Sequence, residues 1–119
     1  MSQHKSAVSF RQMLDHALEA AAMTKGKTRA DLDKDRQLNL ALVRLLEIIW
    51  EAANRIPKED QARHTDISWP EIISLRNRLI HGYDTVDFDI LWQIISLDLP
   101  RLIESLGKSS AKGLKSKMP

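Results

Sequence analysis

The chain has 119 residues, with 18 basic and 16 acidic side chains for a net charge of +2, and no cysteine. That length builds one domain with a single core and not two. The absence of thiols excludes disulfides, thiolate metal sites, iron–sulfur clusters and cysteine nucleophiles. Leu and Ile number 27 against 3 Val and 4 Thr, and Gly and Pro supply only four residues each. That balance favours helices and leaves too few turn formers for a β-sandwich or barrel. No apolar run approaches the ~20 residues that span a bilayer, and residues 1–10 hold no apolar signal core. The expectation is a soluble, intracellular all-α domain, cytoplasmic and without membrane contact.

The charge is unevenly spread. Residues 107–119 contain Lys108, Lys112, Lys115 and Lys117 and no acid, which leaves 14 basic and 16 acidic residues before them. The pI near 9.0 therefore describes the tail and not a basic fold. This divides the chain into a helical domain over 1–106 and a flexible basic tail over 107–119. Such a tail either solubilises the domain or adds non-specific attraction to nucleic acid.

The first helix is predicted from residue 6 or 9 to residue 25. Phe10, Leu14, Ala17 and Ala21 recur at helical spacing, and Gly26 is placed to end it in the left-handed conformation. A charged connector over 27–35 holds a short helical turn around 30–34. The second helix spans 36–56, with Leu38, Leu42, Leu45, Ile49, Ala52 and Ile56 on one stripe and Pro57 as its stop. Only Asn39, Arg44, Glu47 and Glu51 are polar between residues 38 and 53. A helix this apolar is buried on more than one side, as a central helix or a dimer interface.

Residues 58–67 read as a polar loop. Ser68 and Glu71 form a capping-box pattern around Pro70, opening a third helix that runs to residue 80 or 81 and stops at Gly82. The fourth helix starts near Asp87, which reads as its cap, and carries Phe88, Leu91, Ile95, Leu99, Leu102 and Leu106. Pro100 kinks it, and Asp98 caps a final piece. The predicted fold is an all-α, up-and-down bundle of four main helices.

Chemistry concentrates in residues 76–83, Arg-Asn-Arg-Leu-Ile-His-Gly-Tyr. On a continuous helix Arg76 and His81 stand roughly 140° apart, but Gly82 frees the chain and lets the imidazole turn back. A histidine at a helix C-terminus feels the negative end of the dipole, which favours its protonated form, while a nearby arginine opposes that. Arg plus His suits phosphodiester chemistry on RNA: the imidazole moves the proton and the guanidinium neutralises the phosphate. Asn77 could orient either group. One imidazole cannot easily serve as both base and acid, and a two-fold dimer would supply a second. By spacing alone, Arg76 and His81 read as a surface charge and a capping ring.

The stretch over 76–87 resembles the signature of the HEPN superfamily, and more closely that of HepT-like ribonuclease toxins from HepT–MntA modules. The signature places an arginine, a polar residue, a histidine five after the arginine and a tyrosine two after the histidine. Here these are Arg76, Asn77, His81 and Tyr83. Residues 46–53 and 98–100 resemble the family as well. The resemblance implies a HEPN-type bundle and a dimeric, metal-independent endoribonuclease without a cofactor, with Arg76 and His81 catalytic. It also implies a partner, an MntA-like nucleotidyltransferase antitoxin that transfers AMP to the hydroxyl of Tyr83, the only tyrosine.

Other residues carry weaker expectations. Arg44, Glu47, Glu51 and Asn54 share one face of the second helix, either a solvated strip or a wall of the cleft from which Glu51 orients Arg76 or His81. Arg78 points away from Arg76, as a phosphate contact or a surface charge. Trp50, Trp69 and Trp92 sit in apolar patterns and read as core or interface. His4, His16 and His64 have no partner at metal-ligand spacing. Two rival functions stay open: a non-catalytic, nucleotide- or substrate-binding companion of a nucleotidyltransferase, and a plain dimerisation module.

Overall fold

A computed structural model describes the backbone of residues 2–81 and 85–117 and the side chains of 6–80 and 85–109. It is all-α apart from one small hairpin. The elements are α1 (Ser2–Thr24), α2 (Arg29–Lys34), α3 (Arg36–Arg55), α4 (Lys58–Gln61), α5 (Trp69–Ile73), α6 (Leu75–Leu79), β1 (Ile80–His81), β2 (Thr85–Val86), α7 (Phe88–Gln93) and α8 (Leu99–Lys117). A π turn over Ile94–Asp98 joins α7 to α8.

The central position predicted for the second helix is what α3 occupies. It packs against α1, α2, α5 and α6. Leu42, Leu46, Ile49, Ala52 and Ala53 are completely shielded, and Trp50 is buried with them. Asp35 caps it by accepting from the Leu38 N–H at 3.0 Å. Asn39, the buried amide among these apolar residues, donates to the Leu32 carbonyl at 2.9 Å and so ties α2 to α3. Gly26 adopts φ 77° after α1, the left-handed stop that the sequence predicts. Trp69 is buried and donates from its indole nitrogen to the Gln61 and His64 carbonyls at 3.0 and 3.2 Å. Phe10 stands edge-on to it at 5.7 Å. The buried Asp60 of α4 accepts from Ser6, which closes this end of α1.

Several expectations need correction. Residues 58–61 are a helical turn inside what was expected to be a loop. Ser68 caps no backbone donor through its side chain, and the third helix is split at Ser74 into α5 and α6, stopping at Leu79. Beyond it Ile80 and His81 are extended and pair antiparallel with Thr85 and Val86. β-Branched Ile80, Thr85 and Val86 favour that pairing over another helical turn.

The fourth helix is not capped afresh at Asp98. Pro100 cannot donate to the carbonyl four residues back, and the chain accommodates it through the π turn, in which the Leu99 N–H bonds to the Ile94 carbonyl five residues back. The same turn serves the core. Leu91, Ile95 and Leu99 are all buried, yet two successive steps of four would carry them about 80° around a regular helix. One residue taken up by the π turn brings them back to one face.

The last helix also fails to end where the basic tail was expected to begin. α8 continues through Gly107 to Lys117, because Leu106 and Ser109 remain buried on either side of the glycine and α8 lies along α1. Gly107 has open space around the position of a Cβ. Gly107→Ala is therefore expected to stabilise the fold by about 0.5–1 kcal/mol, measured as a rise in the urea midpoint. Among the described residues no helix is long and apolar enough to cross a membrane.

Candidate active site

α6 is five residues long and is held by two of them. Leu75 and Leu79 lie one turn apart and are buried, Leu79 completely. Arg76 and Asn77 are exposed, whereas Arg78 is half-buried. Taking the two leucines as the inward direction, helical geometry puts Arg76 about 80° to one side, Arg78 about 80° to the other, and Asn77 outward. The sequence expectation that the two arginines diverge is met.

They also differ in their partners. Arg78 Nη1 lies 3.1 Å from Asp98 Oδ2 at the end of the π turn, an ion pair without the alignment of a hydrogen bond. Arg76 makes no hydrogen bond or ion pair with another described residue. Its guanidinium is thus the one on α6 available to an anion from outside. Neither of the two readings offered for Arg78, a phosphate contact or an ordinary surface charge, describes an arginine held in an interhelical pair.

His81 does not stand on a helix end. The helix closes with the Ile80 N–H bonded to the Arg76 carbonyl, and β1 then carries His81 opposite Thr85. The Asp87 N–H donates to the Leu79 carbonyl at 3.0 Å and locks the hairpin to α6. The imidazole itself lies outside the described side chains. Tyr83, with Gly82 and Asp84, lies outside the described residues altogether. Asp87 caps α7, as the sequence suggests, by accepting from the Asp89 and Ile90 N–H groups at 2.9 and 3.1 Å.

Among the described contacts Glu51 pairs with neither Arg76 nor Asn77. Arg44 lies 3.3 Å from Glu47 and 3.9 Å from Glu51 along the outside of α3. Glu51 stands about 170° around that helix from the side where Leu46 and Ile49 line the same groove as Leu75. The strip is solvated. Trp50 and Trp69 belong to the core, with Trp92 partly buried against it, so none of the three is a freely offered stacking platform. His16 Nδ1 lies 2.6 Å from the Gln12 carbonyl, and the His64 ring packs on Phe10 at 4.5 Å. Among the described residues no three His, Asp or Glu side chains converge as a metal site.

A groove of about 390 Å³ runs between α3, α5, α6, the π turn and α8. Its floor includes Ile49, Ile72, Leu75, Ile94 and Leu99, and its rim Arg78, Asp98, Arg101 and Lys108. Arg76 does not line it. The groove and Arg76 lie on opposite flanks of α6.

The geometry therefore presents an exposed arginine on an anchored helix, followed by a histidine whose backbone is fixed by a hairpin. A family model described as "Ribonuclease HepT-like" matches residues 13–108. The chain belongs to the HepT-like ribonuclease family. Its relatives agree. A protein of Caldanaerobacter subterraneus subsp. tengcongensis named "Putative RNase" is 38% identical over 96 residues, covering 77% of this chain and 86% of that one. A "Probable ribonuclease HepT" of Thermococcus cleftensis is 35% identical over 98 residues, covering 79% and 89%. No solved structure matches the chain. The HepT-like match spans the middle of α1 to the middle of α8, including α6 and the hairpin. The HEPN-type all-α fold expected from the sequence is the fold observed.

What sequence reasoning missed was Asp98 as a partner of Arg78. The signal was there in part, because Pro100 two residues later and the four-residue steps of Leu91, Ile95 and Leu99 both call for an irregular turn at that place.

Proposed function

We propose that this chain is the toxin of a toxin–antitoxin pair, a metal-independent endoribonuclease acting through Arg76 and His81. The observation that carries the reading is membership of the HepT-like ribonuclease family, with Arg76 exposed and unpaired among the described residues. In the reaction an imidazole takes the proton of a ribose 2′-OH. The 2′-oxygen attacks the adjacent phosphorus, and the 5′-oxygen leaves with a proton supplied by an acid. The products are a 2′,3′-cyclic phosphate and a 5′-OH end. Arg76 pairs with the non-bridging oxygens, whose charge grows in the pentacoordinate state. Asn77, beside it and exposed, can donate to the same phosphate. A homodimer supplies the second imidazole, so that one His81 acts as base and the other as acid.

Control belongs to Tyr83 in this reading. Its hydroxyl oxygen attacks the α-phosphorus of ATP on a nucleotidyltransferase antitoxin, its proton is lost, and pyrophosphate leaves. The AMP phosphodiester puts bulk and negative charge two residues from His81, where it repels the RNA backbone. Expression alone should arrest growth, and His81→Ala should not. With the nucleotidyltransferase present, growth should return and the protein should gain the mass of AMP. Tyr83→Phe should stay toxic beside that partner, since it has no hydroxyl to modify. Neutralisation of Tyr83→Phe as complete as that of the wild type would remove Tyr83 from the account. An unmodified, non-toxic wild type would favour the nucleotide-binding companion.

A further inference from the structure

We propose that Asp98 is a positioning residue for this site. By pairing with Arg78 it fixes the rotation of α6, and with it the aim of Arg76 and the start of the hairpin that carries His81. What it says of activity rests on the ribonuclease reading above.

A helix of five residues cannot hold itself in water; α6 is defined by its contacts. Leu75 and Leu79 pin it along one line, and a helix pinned along one line can still roll about it. The Arg78–Asp98 pair is a side-chain contact off that line. Because Arg78 and Arg76 flank the leucines at about equal angles, a roll that releases Arg78 turns Arg76 by the same amount. The roll also displaces the Leu79 carbonyl, the acceptor for Asp87 at the base of the hairpin.

Three features make this pair more than a surface contact. Asp98 sits in the π turn, whose backbone is fixed by Pro100 and by burial of Ile94, Ile95 and Leu99. The side chains of Arg78 and Asp98 are only 35% and 30% exposed. The interacting Oδ2 is itself shielded from solvent, where a charge pair is screened less than in open water. The pair also joins segments twenty residues apart in the chain, α6 and the π turn, so it links the site to the far side of the groove.

A rival role predicts the opposite sign. If Arg78 served as a phosphate contact and Asp98 merely sat beside it, removing the carboxylate would free a cation and tighten RNA binding. Positioning predicts a loss in turnover without tighter binding.

The experiment compares the full chain with Asp98→Asn, Arg78→Gln and the double exchange Arg78→Asp/Asp98→Arg. It measures kcat and KM for cleavage of a defined single-stranded RNA, and amide exchange at Ile80 and Asp87. Each single variant is expected to lower kcat about tenfold with KM little changed, the size of effect a slightly misaimed group gives. Amide exchange at both positions should rise about fivefold, as loss of one partly exposed pair allows. The double exchange should recover most of both. Unchanged kcat in Asp98→Asn, or a fall in KM at undiminished kcat, would overturn the proposal, as would a double exchange that recovers nothing. If the wild type cuts no RNA, the ribonuclease reading fails by itself. Amide exchange then still decides: a rise restored by the double exchange upholds the latch, and unaltered protection sinks it.

Discussion

His81→Ala is expected to lower RNA cleavage by about 10²–10⁴-fold, the contribution of a positioned proton-transfer group, while the unfolding free energy from urea titration stays within about 1 kcal/mol of wild type. Ala is tolerated in extended backbone, and the hairpin is held by the Ile80–Val86 and His81–Thr85 pairings and the Asp87–Leu79 bond, all of them main-chain features. Arg76→Ala should produce a comparable loss by a different route, through charge on the phosphate, and should leave stability alone because the side chain is exposed without a partner among the described residues. Circular dichroism beside single-turnover kinetics separates the two quantities. A His81→Ala protein that is folded and cuts at the wild-type rate would exclude the imidazole from the chemistry.

Leu79→Ala should behave in the contrary manner and lose both stability and activity. The side chain is completely buried, and truncating a leucine in such a place costs about 2–5 kcal/mol through lost transfer energy and the cavity left behind. The damage falls at one place: Leu79 is one of the two anchors of α6, and its carbonyl carries the first bond of the hairpin. Cleavage is therefore expected to fall even at temperatures where the variant is still folded. Urea unfolding followed by circular dichroism gives the first quantity, and cleavage well below the melting temperature the second. A change under about 1 kcal/mol with full activity would show that α6 is held by something other than its leucines.

The long elements were legible because their signals are redundant. α3 announces itself by a stripe of five turns bounded by Asp35 and Pro57, and α1 by its stripe and the left-handed Gly26. Asp87 could be read as a cap because Asx side chains reach their own backbone two residues on. The elements that were missed are those for which tertiary context decides. A hairpin with two residues per strand has no periodicity to detect, and its cost to the reading was large, since it moved His81 off a helix end. Pro100 was read as the place of a kink, and the structure has a π turn over Ile94–Asp98 just before it. Whether a helix answers a proline by ending or by widening one turn depends on what the next residues bury, and here Leu99, Leu102 and Leu106 keep it in place against the core. The continuation through Gly107 has the same cause, with packing outweighing a glycine's modest cost.

The site divides similarly. Arg76, His81 and Tyr83 stand out as a pattern in sequence, and the HepT-like match covers the stretch that holds them. Glu51 could not be placed by pattern, because helical spacing says which residues share a face and not what that face meets. Asp98 and Arg78 lie on different elements, and nothing local in sequence links them.

The central claim is best tested by incubating purified wild type with RNA in EDTA, beside His81→Ala at matched helicity, and determining the 3′ ends of the fragments. Cleavage by the wild type alone, leaving 2′,3′-cyclic phosphates, is the predicted result. Equal cutting by both proteins, or fragments ending in 3′-OH, would contradict it.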